Sequence, residues 1–374
     1  MDIIVAGDYA PCGILSNRLD NQDYSFFSEV KPVLDGVDYS IVNLECPIVS
    51  GTARPINKVG PNLCCSERGV EALKWAGFNC VSLANNHFFD YGDSGVKTTI
   101  DACKRNGIEW VGGGVTLADA SKILYKRVSN ETLAIINCCE HEFSIATDQH
   151  GGSNPLNSVR LYYDVKTAKK NADYVIVIIH GGHEHFQLPS PRMVELYHFL
   201  IDVGADSVIN HHQHCFSGYE LYNGRPIFYG LGNFCFDIDG IQRRSLSCEG
   251  YMAHLVFSKE EVSFSIIPYL QCSDEYIGVQ VIENGAFDQR IEKLNHIIDN
   301  PSELSDFVKE YYNSITDDLR VMLSPINNRY IRAILYRKII PVVLSKKYLL
   351  RLEDFFLCES HRDKMEFFFC KNND

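Results

Sequence analysis

The stretch "CVSLANNHFFDYGDSGVKTTIDACKRNGIEWV", residues 80–111, contains the alternation on which the fold prediction rests. A short apolar run at Cys80–Leu83 is followed by helical spacing over Ser94–Asn106 and by a second apolar run at Ile108–Val111. Short apolar runs rich in β-branched residues predict buried strands, and the spacing between them predicts an amphipathic helix. This segment therefore predicts a strand–helix–strand unit.

The same alternation recurs along the chain. Strands are predicted at Ile3–Val5, Ser40–Leu44, Leu133–Ile136, Tyr174–Ile179 and Ser207–Ile209, and helices at Glu67–Ala76 and Pro191–Val203. Strands that alternate with helices indicate an α/β sheet with layered helices. Residues 226–270 carry fewer helical signals and predict additional, antiparallel sheet.

The composition limits the classes of function. Of the 374 residues, 45% are hydrophobic and 22% are charged, which is typical of a globular protein with one large domain or two smaller ones. The formal net charge of −13 argues against nucleic-acid binding, because that function needs a basic face. The start "MDIIVAGD" lacks the features of a secretory signal, and no apolar run reaches the length of a membrane-spanning helix. We therefore expect a cytoplasmic location.

The character of the sequence changes near residue 300. Residues 301–319 have helical spacing, and residues 320–352 hold eight Lys or Arg and no Asp or Glu, interleaved with apolar residues. Two interpretations are open: a helical cap packed on the domain, or a basic amphipathic surface that docks on an anionic membrane or on a synthase. Pro341 would interrupt one long helix through this segment. We predict a domain over residues 1–295 and a helical, partly basic extension over 296–374.

Five polar clusters stand at the ends of predicted strands. They are Asp8 in "AGD", Asn43 and Glu45 in "NLE", Asn85, Asn86 and His87 in "NNH", His180 in "HGGHEH", and His212 and His214 in "NHHQH". Ligands gather at the carboxyl ends of strands in open α/β sheets, so these clusters could converge. Taken singly, most could be turn caps, strand-end hydrogen-bonding groups or polar loops. The three imidazoles in "NHHQH" are the exception, since they are costly to bury without partners or a metal.

The chemistry of the set points to divalent metal ions. Carboxylate oxygens, an amide oxygen and imidazole nitrogens suit Mn²⁺, Fe or Zn²⁺ better than Ca²⁺. Two such ions bridged by a carboxylate can bind a phosphoryl group and activate water. A histidine that does not bind metal can give a proton to the leaving oxygen, and His87, next to Asn86, suits that role.

The order of the motifs resembles that of a known family. GD, NxE, NNHxxDxG, HxGxE, a His-x-His after "GAD" and "YGLGNFCFD" follow one another within residues 2–237. This order is similar to that of the CapA-type capsule (poly-γ-glutamate) biosynthesis proteins, which are relatives of the calcineurin-like metallophosphoesterases. The resemblance implies a four-layer α/β/β/α sandwich with a dimetal site at one edge of the sheets.

The resemblance also implies residue roles. One metal would be held by Asp8 and His214, the second by Asn86, His180 and His212, and Glu45 would bridge the two. His87 would be the proton donor, steadied by Asp90, and Asn85 would shape the turn. The resemblance further assigns supporting or substrate-orienting roles to Asn43, Glu184 and Asn233.

The sequence departs from the general phosphoesterase pattern at several positions. Ala10 stands where an Asp-x-His motif would place a histidine, and "NLECP" stands where GDxxD is typical. The first metal is therefore expected to have few protein ligands. The additional histidines His183, His185 and His211 are expected to be solvated or hydrogen-bonded loop residues rather than ligands.

Three functions follow from these observations. The nearly complete ligand set favours a dimetal hydrolase that cleaves a phosphoester in a capsule or cell-surface polymer intermediate. The alternatives are a non-catalytic capsule-assembly component and an enzyme that hydrolyses or transfers an amide on a polyglutamate-like chain. Lys58, Arg54 and Arg192 lie near the motifs and could contact an anionic substrate or be ordinary surface charges.

Overall fold

The structure, a computed structural model, describes all residues except 238–245, 260, 274–275, 284, 327, 359, 366–368 and 370–374. In chain order the strands are β1 (Asp2–Ala10), β2 (Tyr39–Leu44), β3 (Cys80–Ser82), β4 (Glu109–Val111), β5 (Gly113–Gly114), β6 (Leu124–Val128), β7 (Glu131–Cys139), β8 (Gly152–Ser153), β9 (Tyr174–His180), β10 (Ser207–His211), β11 (Tyr219–Tyr222), β12 (Arg225–Phe228), β13 (Asn233–Phe236), β14 (Glu249–Phe257), β15 (Val262–Gln271) and β16 (Val279–Val281). The α-helices are α1 (Ile14–Asp20), α2 (Lys31–Leu34), α3 (Arg68–Ala76), α4 (Gly92–Asn106), α5 (Leu117–Ala120), α6 (Ser158–Asn171), α7 (Pro191–Val203), α8 (Gly285–Ile298), α9 (Pro301–Met322), α10 (Arg329–Tyr336) and α11 (Lys346–Leu357).

The described strands form two large sheets. The first has the order β16-β15-β14-β1-β2-β3-β4, and β13 pairs in addition with β1. Its strands β1 to β4 are parallel, whereas β14, β15 and β16 pair antiparallel. The second sheet has the order β11-β12-β10-β9-β7-β6, with β7, β9, β10 and β12 parallel. Each sheet therefore has a parallel centre whose strands end at a common edge.

The sheets pack face to face, and helices cover their outer faces. Alternate residues of β1 point in opposite directions: Ile3 lies in the core between the sheets with Ile176, and Ile4 lies in the core with Val70 of α3. On the far side, α6 contacts β7 and β9, and α7 contacts β10. The four layers are helix, sheet, sheet and helix, which confirms the predicted fold class.

The sequence prediction for residues 226–270 was only partly correct. The β14–β15 pair is antiparallel, as expected. In contrast, β12 pairs in parallel with β10, and β13 pairs in parallel with β1. The short segment 229–232 carries the chain from the second sheet to the first, so these two strands join different sheets instead of forming a hairpin.

The chain divides into two compact units, Met1–Leu304 and Ser305–Asp374. Within the second unit, α10 and α11 lie on either side of Pro341, which belongs to neither helix. The hydroxyl of Tyr348 donates a hydrogen bond to the carbonyl oxygen of Leu323 at 3.0 Å. No helix in the described part of the chain is long and apolar enough to cross a membrane.

Candidate metal centre

The parallel strands deliver the predicted polar residues to one edge of the sheets. Asp8 lies near the end of β1, Glu45 follows β2, and His180 is the last residue of β9. In β1, Asp8 is in register with Asn43 of β2 and with Asn233 of β13. A Cβ atom on the preceding residue, Gly7, would lie only 1.9 Å from the carbonyl oxygen of Gly232, so the glycine permits this close approach.

Two groups of ligand-type atoms form at this edge. Glu45, His180 and His212 place such atoms within 4.8 Å of one another, and so do Asp8, Glu45 and His214. Glu45 belongs to both groups, since its Oε1 lies 3.7 Å from Nε2 of His180 and 3.7 Å from Nε2 of His214. Glu45 is therefore the residue that the two groups share.

The environment of Glu45 fits a cation. Its side chain is 0% exposed, and within the described part of the chain neither carboxylate oxygen has a hydrogen-bond partner. Burial raises the pKa of Glu45 well above its usual range, and the neighbouring Asp8 carboxylate adds to the shift. A buried carboxylate without partners is costly to ionise, and a bound cation removes that cost. These side chains are therefore suited to hold divalent ions.

Burial disfavours the charged form of two of these histidines. Burial lowers the pKa of His180 and the pKa of His214. Repulsion from a positive charge on His212 lowers the pKa of His180 further. Nδ1 of His214 lies 2.9 Å from Oδ1 of Asn233, and this amide oxygen accepts a hydrogen bond from the protonated Nδ1. The other nitrogen, Nε2, then carries the lone pair and faces Glu45.

Asn86 lies beside the group formed by Glu45, His180 and His212. Its Oδ1 is 3.0 Å from Nε2 of His180, and Nδ1 of His212 is 3.1 Å from the same nitrogen. An amide oxygen and two imidazole nitrogens thus converge on one point beside Glu45. This placement agrees with the role that the resemblance assigns to Asn86, which stays a prediction.

The loop after β10 has an unusual backbone. His212 and His214 have positive φ angles of 92° and 55°, a region that costs non-glycine residues about 1–3 kcal/mol each. The backbone N–H of His212 donates to Oδ2 of Asp8 at 3.2 Å, and Nε2 of Gln213 donates to the carbonyl oxygen of Phe186 at 3.0 Å. These bonds hold both imidazoles towards the centre.

His87 and Asp90 form a buried pair beside the centre, and a lysine completes it. Nδ1 of His87 lies 2.7 Å from Oδ2 of Asp90, which also accepts the backbone N–H of Leu63 at 2.7 Å. The Lys58 ammonium forms an ion pair with Oδ1 of Asp90 and lies 3.1 Å from Nδ1 of His87. The Lys58 side chain is 3% exposed, so it is neither a surface charge nor a free anion-binding group.

Two asparagines hold the loops together beneath the ligands. Asn43 donates to Oδ1 of Asp8 at 2.8 Å, and Asn85 donates to the carbonyl oxygen of Leu44 at 2.9 Å. The Oδ1 atom of Asn85 accepts the backbone N–H of His87 at 3.1 Å. Asn85 thus links the end of β2 to the turn that carries His87.

Other predicted residues lie further from the ligand groups. Glu184 is exposed, and its charge contributes to the raised pKa of Glu45, but no described ligand forms a hydrogen bond with it. The expectation for His211 was wrong, because it is the last residue of β10 and is buried, and burial lowers its pKa. His183 is partly buried with a lowered pKa, and Arg192 forms an ion pair with Glu140.

The sequence prediction missed Glu142. Its Oε2 accepts a hydrogen bond from Nδ2 of Asn86 at 3.2 Å, and its Oε1 lies 3.6 Å from Nε2 of His212. Glu142 follows β7, whose last residue, Cys139, is in register with His180 of β9. Polar residues directly after β7 therefore marked a strand end, in the same way as the five clusters used for the prediction, and could have identified Glu142.

The amino-acid sequence matches a known protein family. The sequence model of the family "Bacterial capsule synthesis protein PGA_cap" matches residues 2–238, which include every predicted site residue. The chain belongs to the PGA_cap family. This confirms the resemblance found in the motif order.

Two relatives of this PGA_cap member carry capsule-related names. "Capsule biosynthesis protein CapA" of Bacillus anthracis is 36% identical over 219 residues, which are 56% of this chain and 53% of the relative. "PGA biosynthesis protein CapA" of Bacillus subtilis is 33% identical over 216 residues, which are 57% of each. The chain thus spans about half the length of the curated relatives it matches.

The PGA_cap chain also has similarity to solved structures. A phosphatase from Mycoplasma pneumoniae is 15% identical with a TM-score of 0.47, over 74% of this chain and 95% of that one. A similarity at this level transfers no activity, so the functional argument rests on the site itself.

Proposed function

We propose that this PGA_cap family member is a dimetal-dependent hydrolase that cleaves a phosphoester in a capsule or cell-surface polymer intermediate. The observation that carries the proposal is the environment of Glu45. This carboxylate is fully buried, finds no hydrogen-bond partner among the residues that the structure describes, and is shared by two ligand groups. The capsule context is supported by the names of the CapA relatives of the two Bacillus species.

The ligand assignment follows the two groups. Asp8, Glu45 and His214 would hold one divalent ion, and Glu45, Asn86, His180 and His212 would hold the other. Oxygen and imidazole ligands of this kind suit Mn²⁺, Fe or Zn²⁺. When bound, such ions supply an activated water nucleophile and stabilise negative charge on a phosphoryl group.

His87 is the proton donor in this proposal. Because its Nδ1 is bonded to Asp90, Nε2 is the nitrogen that remains to protonate the leaving oxygen. Asp90 fixes the orientation of the ring. Lys58 in turn forms an ion pair with Asp90 and offsets the cost of burying that carboxylate.

The experiment that tests the proposal is a substrate panel with Mn²⁺ added. We expect phosphate or alcohol release from p-nitrophenyl phosphate or bis-p-nitrophenyl phosphate, and loss of that activity in Glu45→Gln. Cleavage of a γ-glutamyl amide without phosphoester turnover would favour amide chemistry on a polyglutamate-like chain. No turnover of either class by a metal-loaded protein would favour the non-catalytic assembly component.

We propose a second role for the basic segment 320–352, docking on an anionic membrane. The described part of this segment exposes large apolar side chains next to cationic ones. On α10, Ile331 is 46% exposed, and on α11, Leu350 is 54% exposed beside the exposed Lys346 and Lys347. Exposed apolar and cationic groups on short helices are complementary to an anionic lipid surface.

Vesicle sedimentation tests the docking proposal. Each lysine near an anionic surface contributes about 1 kcal/mol, so Lys346→Gln with Lys347→Gln should weaken binding to phosphatidylglycerol vesicles about 30-fold. The matched control, Lys104→Gln with Lys122→Gln, removes two exposed charges from the first unit and should change nothing. Equal binding by both double variants, or no binding by the unaltered chain, would refute docking by this segment.

A further inference from the structure

Glu142 lies outside the ligand set, yet it contacts two of its members. Its carboxylate accepts a hydrogen bond from Nδ2 of Asn86 at 3.2 Å, and its other oxygen lies 3.6 Å from Nε2 of His212. We propose that Glu142 is a positioning residue that fixes the orientation of both side chains at the second metal position. This inference rests on the metal centre of the proposed function.

The first step concerns the amide of Asn86. An asparagine binds a cation through its oxygen, but its oxygen and nitrogen can exchange places by a rotation of the side chain. An ionised carboxylate only accepts hydrogen bonds, so Glu142 must face Nδ2. Oδ1 of Asn86 is thereby directed towards the centre, where it lies 3.0 Å from Nε2 of His180.

The second step concerns the imidazole of His212. Its Nδ1 faces the centre, 3.1 Å from Nε2 of His180, and its Nε2 faces Glu142. A carboxylate next to Nε2 favours the tautomer with the proton on that nitrogen. The lone pair is then on Nδ1, the nitrogen of His212 that faces His180. Carboxylates behind metal-binding histidines usually act in this way, and their loss weakens metal binding about 10–100-fold.

The neighbouring carboxylates do not share this geometry. Glu140 lies two residues earlier, and its carboxylate forms an ion pair with Arg192 instead of contacting Asn86 or His212. Glu184 is exposed and forms no hydrogen bond with a described ligand. The side chain of Glu142 is 39% exposed, so its replacement should leave the core intact. Glu140→Gln is therefore a control that matches the change of charge, the chemistry and the chain segment.

The test is a calorimetric titration of the metal-free protein with Mn²⁺ alone. For the unaltered chain we expect two sites. In Glu142→Gln, one site should weaken about 10–100-fold and the other should keep its affinity, because Asp8 and His214 do not contact Glu142. Glu140→Gln should bind both ions as the unaltered chain does. A Glu142→Gln protein with two unchanged sites, or with both sites weakened equally, would overturn the positioning role.

A double variant separates the orienting effect of Glu142 on the Asn86 amide from the simple loss of the Glu142 charge. In Asn86→Asp both side-chain oxygens can face the centre, so no partner is needed to orient the group. Glu142→Gln should therefore weaken the second site less in the Asn86→Asp background than in the unaltered chain. An equal loss in both backgrounds would contradict the amide argument. If the unaltered chain bound no Mn²⁺, the metal centre would be wrong, and the role of Glu142 would be wrong with it.

Discussion

Replacing Glu45 by glutamine should have opposite effects on stability without and with metal. In the metal-free protein the carboxylate is 0% exposed and has no hydrogen-bond partner among the described residues. Because its pKa is raised on folding, the folded chain holds a proton that the unfolded chain releases above the ordinary pKa of 4.5. The metal-free protein should therefore lose stability as the pH rises from this value towards the folded-state pKa, and Glu45→Gln should not show this loss.

The size of the effect follows from the burial. An unsatisfied buried polar group costs about 1–3 kcal/mol. A glutamine amide at this position can donate a hydrogen bond towards Nε2 of His180 or of His214, each of which lies 3.7 Å from Oε1 of Glu45. At pH 7.5 we expect Glu45→Gln to stabilise the metal-free protein by about 2 kcal/mol, which raises Tm by about 3 °C at an unfolding entropy of about 2 cal/mol/K per residue. With Mn²⁺ at 100 times Kd, each occupied site stabilises the unaltered chain by about 2.7 kcal/mol, whereas the variant loses the shared ligand.

The assay is thermal unfolding at pH 7.5 in EDTA and in Mn²⁺, where the order of the two Tm values should reverse. Asp206→Asn is the control, because Asp206 is a buried carboxylate that pairs with Lys169 at 2.7 Å far from the ligands. That variant should be less stable than the unaltered chain under both conditions. A Glu45→Gln protein that is less stable in EDTA, together with no effect of Mn²⁺ on the unaltered chain, would refute the reasoning.

Three further predictions concern the residues around the ligands. His87→Asn should leave Mn²⁺ binding unchanged and reduce phosphoester turnover about 10²–10⁴-fold. Steady-state kinetics measures this effect, and unchanged turnover would show that His87 is not the proton donor. Lys58→Met should destabilise the protein by about 3–5 kcal/mol in urea unfolding, because it leaves Asp90 buried without its cation, and a loss under 1 kcal/mol would show that the pair is unimportant. Asn233→Ala should weaken one Mn²⁺ site about 10–100-fold in calorimetry by releasing Nδ1 of His214, whereas equal affinity would show that His214 needs no such partner.

Much of the fold could be predicted from the sequence because the central strands are short, apolar and separated by helices with regular spacing. The predicted helix Pro191–Val203 has the observed bounds of α7, and Gly204 follows it with a φ of 127°. The pairing of β12 and β13 could not be predicted in this way. Local patterns report which residues are buried, and they do not report which of two sheets a strand joins.

The candidate site was predictable where its residues follow strands directly. Asp8, Glu45 and His180 stand at strand ends, and the structure brings them together. The ion pair of Lys58 with Asp90 could not be predicted, because the two residues are 32 positions apart with α3 and β3 between them, and local patterns do not report such contacts. His211 was misjudged because the strand β10 continues to that residue, two positions beyond the predicted apolar run.

The most direct test of the metal centre is the metal content of the protein purified without chelators and measured by elemental mass spectrometry. Two divalent ions of Mn, Fe or Zn per chain are predicted, since Glu45 is shared by two ligand groups. No bound metal, even after loading with Mn²⁺, would contradict the account and leave the buried Glu45 carboxylate without an explanation.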